Sequence, residues 1–292
     1  MAAASLPLHG VGVLTGAHPF SWALPAAAPL WLVLGACGLD RLVGDPRWCL
    51  HPVVVMGWWI SRLRGLAERA ARYYEAGARF AKWRAVLRIS PDGCPSELAV
   101  RENAWGLARY ARTVQDAGLV PIVEPEILMD GDHDIATTAS VQEWVLRTVY
   151  EALAVNGVFL EGSVLKPSMT TAGASCPERP SLEEVGDFTV RTLSRSVPAA
   201  VPAILFLSGG LSEEDASLCL NAINLAAAQG FAPWHLGFSF GRALQHSCLK
   251  HWHGDDRSAG QAALLARARA NGAASRGVYR SEEHTSELQS PY

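Results

Sequence analysis

From Leu66 onward one pattern recurs: a short apolar run that ends in a charged or glycine-rich turn, then an amphipathic stretch of helical length. Trp83 to Ile89 reads as a strand, and Ser96 to Ala117 as a helix with Ser96 as N-cap, Pro95 ahead of it and Gly118 as its stop. Leu119 to Val123 is the next strand. Ala136 to Val155 is a helix closed by Asn156-Gly157, Val158 to Leu165 a strand, and Leu182 to Ser196 a helix ended by Pro198. Ala203 to Leu207 is a strand. Ser212 to Gln229 is a helix whose acidic first turn, Glu213, Glu214 and Asp215, suits the positive helix end. His235 to Phe240 is the last strand. Five strands alternating with helices specify an α/β chain with a parallel sheet, and short apolar strands covered by helices fit a (β/α) barrel. An open doubly wound sheet is the alternative.

Ahead of Leu66 the character differs. Ser21 to Gly38 carries no charge, close to the roughly 20 residues that span a bilayer. A second apolar run, Val53 to Ile60, follows the polar turn Asp45-Pro46-Arg47. Membrane contact through residues 21–38 is one reading. A cleaved signal peptide is the other, but residues 1–20 hold no Lys or Arg for a positive leading region. The division expected is an apolar segment over 1–65, a barrel over 66–279 and a tail over 280–292 that takes no part in the fold. Over the 292 residues, 49% are hydrophobic and 18% charged, so a large core is available and long disorder is excluded. A net charge of −3 argues against nucleic acid, which selects a basic stripe, and leaves small molecules as partners. Cys37, Cys49, Cys94, Cys176, Cys219 and Cys248 show no C-x-x-C pair or repeated spacing, so neither a disulfide framework nor a zinc site is indicated.

In a barrel the chemistry belongs at the C-terminal ends of strands. Lys166 ends the run VFLEGSVLKP, where apolar neighbours would disfavour the ammonium form and leave an amine that attacks carbonyls. A strand-end lysine reaching solvent is the plain alternative. Glu124 and Glu126 alternate around Pro125, so an extended backbone sends both carboxylates to one side, where one serves as a proton shuttle. A solvated loop acid would look the same. Lys82 and Arg84 flank Trp83 with the same spacing and suit phosphate or oxyanion binding, or are simply exposed bases. Ser208-Gly209-Gly210 and Gly241-Arg242 each follow a strand just ahead of a helix, where backbone N–H groups would face an anion. The run Asp130-Gly131-Asp132-His133-Asp134 and the triplet His251-Trp252-His253 lack the further ligands a metal site needs.

The segments FAKWR, VPIVEPEILMDGDHD, LEGSVLKP, FLSGG, LNAIN and FSFGRALQ, in this order, closely resemble class I fructose-bisphosphate aldolases. The resemblance runs from about residue 66 to 279. It implies a partial (β/α)8 TIM barrel, strands 4 to 8 with their helices, preceded by an apolar helical segment. It also implies a cytoplasmic enzyme without cofactor or metal that reversibly cleaves fructose 1,6-bisphosphate to dihydroxyacetone phosphate and glyceraldehyde 3-phosphate, and the homotetramer usual in the family. By motif, Lys166 matches the Schiff-base lysine, Glu124 the acid/base of carbinolamine formation and dehydration, and Glu126 its neighbouring carboxylate. Lys82 matches an active-site lysine, Arg84 a phosphate-contacting arginine, and Ser208, Gly209, Gly241 and Arg242 the second phosphate site.

Three departures qualify that resemblance. The family's earlier strands, with an active-site aspartate and a further lysine, have no counterpart, and neither has its functional C-terminal tyrosine. Leu39 to Leu63 is similar to the first segment of adenosylcobinamide-phosphate synthases, membrane proteins of cobalamin synthesis. Arg280 to Ser290 resembles the translation of a sequencing adapter. Together these imply a hybrid chain with impaired aldolase activity. The alternatives are a non-functional chimera and a non-catalytic aldolase-like scaffold.

Overall fold

The computed structural model describes residues 52–230 and 232–281, with side chains from Arg64 onward. Residues 21–38, most of the cobinamide-synthase-like stretch and the tail from residue 282 lie outside it. By contacts the chain divides into Met1–Trp59 and Ile60–Tyr292, and among the described residues every strand belongs to the second unit. Helix α1 is Pro52–Glu75. Among the described residues no helix is long and apolar enough to cross a membrane.

The sheet has five parallel strands: β1 Phe80–Leu87, β2 Val120–Ile127, β3 Val164–Leu165, β4 Ala203–Phe206 and β5 His235–Phe238. Their spatial order is their sequence order. A doubly wound sheet would reverse direction at a switch point, so the unbroken order identifies a barrel wall. Helices α2 Glu97–Asp116, α3 Ile135–Val155, α4 Leu182–Ser196 and α5 Glu213–Gln229 connect the strands, and α6 Arg242–Trp252 and α7 Arg257–Ala274 follow β5.

Local chemistry sets each boundary. Along α2, Val100, Ala104, Leu107, Ala111 and Val114 recur at helical spacing and are buried, giving the apolar face that packs on the sheet. Its start is fixed by Ser96 Oγ, which accepts from Ala99 N at 3.2 Å. Its end is fixed by Gly118 at φ +82°, with Leu119 N donating back to Val114 O at 2.9 Å. Ser181 and Glu184 form a reciprocal capping box on α4, and Ser212 Oγ caps α5 by accepting from Asp215 N. Burial together with the charge of Asp215 pushes the Cys219 thiol of α5 up to about 12, in keeping with a packing role.

Three expectations shift. β2 runs on to Ile127, so Glu124 and Glu126 belong to the strand itself. Strand β1 starts at Phe80, three residues earlier than expected. Within Val158 to Leu165 only Val164 and Leu165 are strand, and Leu160–Gly162 is a 3-10 turn. The cause is Gln115 of α2: its amide donates to Phe159 O and Gly162 O and accepts from Phe159 N. Backbone groups answered by a side chain have no need of a neighbouring strand. Helix α7 carried no sequence signal strong enough to mark it.

Asp134 caps α3 by accepting from Thr137 N at 2.7 Å, and the hydrogen bonds from Thr137 hold its carboxyl below the ordinary value of 3.8. Asp134→Ala is expected to cost about 1 kcal/mol in urea unfolding at neutral pH. A carboxyl depressed in the native state stabilises fully above its unfolded value. The difference between parent and variant should therefore shrink as pH falls below 3.8. A gap that widens there would contradict the cap.

Candidate active site

The two-residue period of a strand places alternate side chains on one face. On β1 that face carries Lys82 and Arg84, on β2 Glu124 and Glu126. The β1–β2 register sets Arg84 opposite Glu124 and Val86 opposite Glu126, yet the ion pairs run diagonally. Lys82 Nζ donates to Glu124 Oε2 at 2.6 Å, and Arg84 Nε donates to Glu126 Oε2. From β3 the register pairs Val123 with Leu165, and one residue further Lys166 Nζ donates to Glu124 Oε1 at 2.9 Å. Each oxygen of Glu124 thus meets one amine.

Depth separates these groups. The side chain of Glu124 is 4% exposed and that of Lys166 10%, whereas that of Lys82 is 43% exposed. Apolar residues flank Lys166 along the chain, but across the strands its amine meets a carboxylate. The sequence expectation of an apolar surround is corrected to that extent. The hydrogen bond to Glu126 raises the pKa of the Arg84 guanidinium above its ordinary value, with the charges of Glu126 and Glu124 adding to it against burial.

These side chains line one end of a cleft of about 400 Å³. Ser208, Gly209, Gly241 and Arg242 line the other end, so the structure brings every sequence-predicted site residue to one place. Gly209 and Gly210 take φ of +58° and +106°, turning β4 into α5 with a backbone open to the cleft. Gly241 is the N-cap of α6 and has no side chain to cap the first turn; Leu244 N donates to Gly241 O at 3.1 Å, and the N–H groups of Arg242 and Ala243 ahead of it suit an anion. Lys82, Arg84, Lys166 and Arg242 line the cleft together with Glu124, Glu126 and Asp130. The surplus positive charge selects an anionic ligand.

Sequence reasoning missed Ser239 and treated Asp130 only as a candidate metal acid. Both line the cleft. Ser239 was within reach, because the alternation Gly237, Ser239, Gly241 carries the face of β5 to the glycine cradle. Of the acidic-histidine run, Asp134 is the α3 cap. Burial lowers the His133 pKa despite Asp132 and Asp134 beside it. His251 Nδ1 lies 2.7 Å from Ser247 O, and His253 is the left-handed C-cap of α6. Among the described residues no three His, Cys, Asp or Glu side chains form a metal-holding group.

The loops above the cleft are laced together. Ala174 N donates to Met129 O at 2.6 Å, Gly173 N to His133 O at 2.8 Å and Ser175 N to Gly131 O at 2.9 Å. A Cβ on Gly173 would stand 2.4 Å from Gly131 O, so only glycine permits this approach.

A family profile described as Fructose-bisphosphate aldolase class-I matches residues 57–292. The match takes in residues 57–65 and 280–292, and the comparisons give no support to the cobinamide-synthase-like and adapter-like readings. The chloroplastic fructose-bisphosphate aldolase of Oryza sativa subsp. japonica is 54% identical over 233 residues, 79% of this chain and 58% of that protein. Fructose-bisphosphate aldolase 2 of Plasmodium berghei (strain Anka) is 55% identical, covering 75% of this chain and 59% of its own length. The cytoplasmic isozyme 2 of Pisum sativum is 56% identical, covering 75% and 60%. A solved Plasmodium falciparum fructose-bisphosphate aldolase, in complex with TRAP and a small-molecule inhibitor, superimposes with a TM-score of 0.72 at 54% identity, covering 75% of this chain and 63% of that one. This chain therefore spans 58–60% of the length of these curated relatives.

The geometry predicts unequal costs for removing the two partners of the shared ion pairs. Glu124→Leu leaves the buried Lys166 amine without its carboxylate and should cost about 3 kcal/mol or more in urea unfolding. Lys82→Met removes a half-exposed partner while Glu124 keeps Lys166, and should cost about 1 kcal/mol or less. Equal costs would refute the shared-carboxylate arrangement.

Proposed function

Because the chain belongs to the class I fructose-bisphosphate aldolase family, we propose that it carries out the Schiff-base cleavage of fructose 1,6-bisphosphate to dihydroxyacetone phosphate and glyceraldehyde 3-phosphate, the reversible aldol step of glycolysis and gluconeogenesis. The observation that carries this reading is the Glu124 carboxylate held between the amines of Lys166 and Lys82. A nucleophilic amine needs a base in direct contact to take its proton, and Glu124 Oε1 is in place for Lys166.

In this reading one phosphate of the sugar sits on Ser208, Gly209, Gly241 and Arg242 and the other lies toward Arg84. The ketone carbon then lies over Lys166. Lys166 Nζ gives one proton to Glu124, attacks that carbon and passes a second N–H proton to the carbonyl oxygen, which becomes the carbinolamine hydroxyl. The carboxylic acid so formed returns the proton to the carbinolamine hydroxyl, which leaves as water. The resulting iminium draws the electrons of the C3–C4 bond as Glu124, again a carboxylate, accepts the C4 hydroxyl proton and the aldehyde departs. Protonation of the enamine at C3 and hydrolysis release the ketone and restore Lys166. Lys82 donates to the other oxygen of Glu124 and holds the carboxylate in place, and Glu126 holds Arg84 in orientation. The iminium is itself the electron sink, so the scheme calls for no cofactor.

The domain reading belongs with this proposal: residues 66–279 carry the barrel portion and 1–65 a separate apolar segment, to be tested by membrane fractionation of the whole chain. Cytoplasmic placement of the barrel portion follows the cytoplasmic Pisum sativum relative, while the chloroplastic Oryza sativa relative stands for a plastid. Borohydride treatment with dihydroxyacetone phosphate, followed by peptide mass spectrometry, should put the reduced adduct on Lys166. Lys166→Met should abolish it, and Glu124→Gln should slow its formation about 100-fold. An adduct on another lysine, or none, would overturn the assignment.

A further inference from the structure

Lys166 is placed by a ladder that is about to fail. Lys166 N donates to Val123 O at 2.8 Å, the proper parallel bond for the β2–β3 register. The next bond of that ladder would have to come from Pro125, which has no N–H. The two strands would be free to part where Lys166 must meet Glu124.

A side chain takes over. Ser168 Oγ accepts from Ile127 N and donates to Ile127 O, both at 3.0 Å, standing in for the missing backbone pair. The Ser168 carbonyl accepts from Gln142 Nε2 of α3 at 2.7 Å. Gln142 Oε1 accepts from Thr170 Oγ1 at 2.7 Å, and Thr170 N donates to Thr189 Oγ1 of α4 at 3.0 Å. Ser168, Gln142, Thr170 and Thr189 are all 4% exposed or less. On the far side Leu207 N donates to Pro167 O at 3.1 Å, tying the same segment to β4. None of the four polar residues lines the cleft.

We propose that Ser168, held by Gln142 and Thr170, is the positioning residue that fixes Lys166 against Glu124. It does so by tying β3 to Ile127 of β2 beyond the rung that Pro125 deletes. This rests on the aldolase reading for its catalytic meaning, and it would apply to any chemistry of the Lys166 amine. A buried serine that served only stability would not tune the reactivity of one particular lysine.

The test therefore reads the amine directly. Reductive methylation of the whole chain with formaldehyde and cyanoborohydride is followed by peptide mass spectrometry, with Lys82 as internal reference and dihydroxyacetone phosphate trapping in parallel. In Ser168→Ala the ratio of Lys166 to Lys82 methylation should fall about tenfold and its pH profile should shift, because the amine swings away from its base. Ser168→Thr, which keeps the hydroxyl, should restore both. Gln142→Leu should move them in the same direction as Ser168→Ala. An unchanged ratio in a folded Ser168→Ala protein overturns the inference and leaves the aldolase reading standing. Loss of the fold in both Ser168→Ala and Gln142→Leu, read by circular dichroism, also overturns it, since the role would then be structural. A parent chain that methylates Lys166 but traps no dihydroxyacetone phosphate there fails the aldolase reading alone.

Discussion

One carboxylate organises the cleft. Glu124 is buried deeply enough that an isolated charge would be strongly disfavoured, and it lies there because each oxygen receives an amine. The two amines come from different strands on either side of β2, so the interaction exists only if three strands keep one register. That explains why the β1–β2 pairing spans eight residues, while the shorter β2–β3 pairing is reinforced by side chains. The partially exposed Lys82 keeps the site open to solvent on one flank, and Lys166 closes the other.

The opposite end of the cleft is held by different means. The chain leaves β4 through Gly209 and Gly210 into the acidic first turn of α5, and there Glu213 accepts from Ser247 N and Ser247 Oγ on α6. Arg267 of α7 donates to Glu213 O and Ser217 Oγ at 2.6 Å each, and Ser217 Oγ donates to Asn271 Oδ1. Three helices are thereby joined behind the two glycine turns that face the anion. A cationic side chain such as Arg242 can be aimed only if the helix bearing it is itself fixed.

What the sequence disclosed followed from period. Lys82 with Arg84, and Glu124 with Glu126, are pairs two residues apart, and any extended backbone puts each pair on one side; the parallel order of the strands followed from the helices between them. The seating of Lys166 was ambiguous from its neighbours alone, since its partner lies 42 residues away in the chain. Features that depend on distant side chains stayed hidden. Gln115 converts an expected strand into a turn, and Ser168 mends a broken ladder, through contacts more than 40 residues distant in sequence. Ser239 differs: its alternation with Gly241 was legible, but a serine one residue past the end of β5 carries no charge to mark it as part of an anion site.

The lacing of the loops after β2 and β3 has a kinetic meaning. Three backbone bonds and the Gly131–Gly173 approach join those loops into one plate, and a plate cannot act as a lid. Breathing that admits a ligand is left to the segments outside this plate, the turns at Gly209, Gly210 and Gly241 among them.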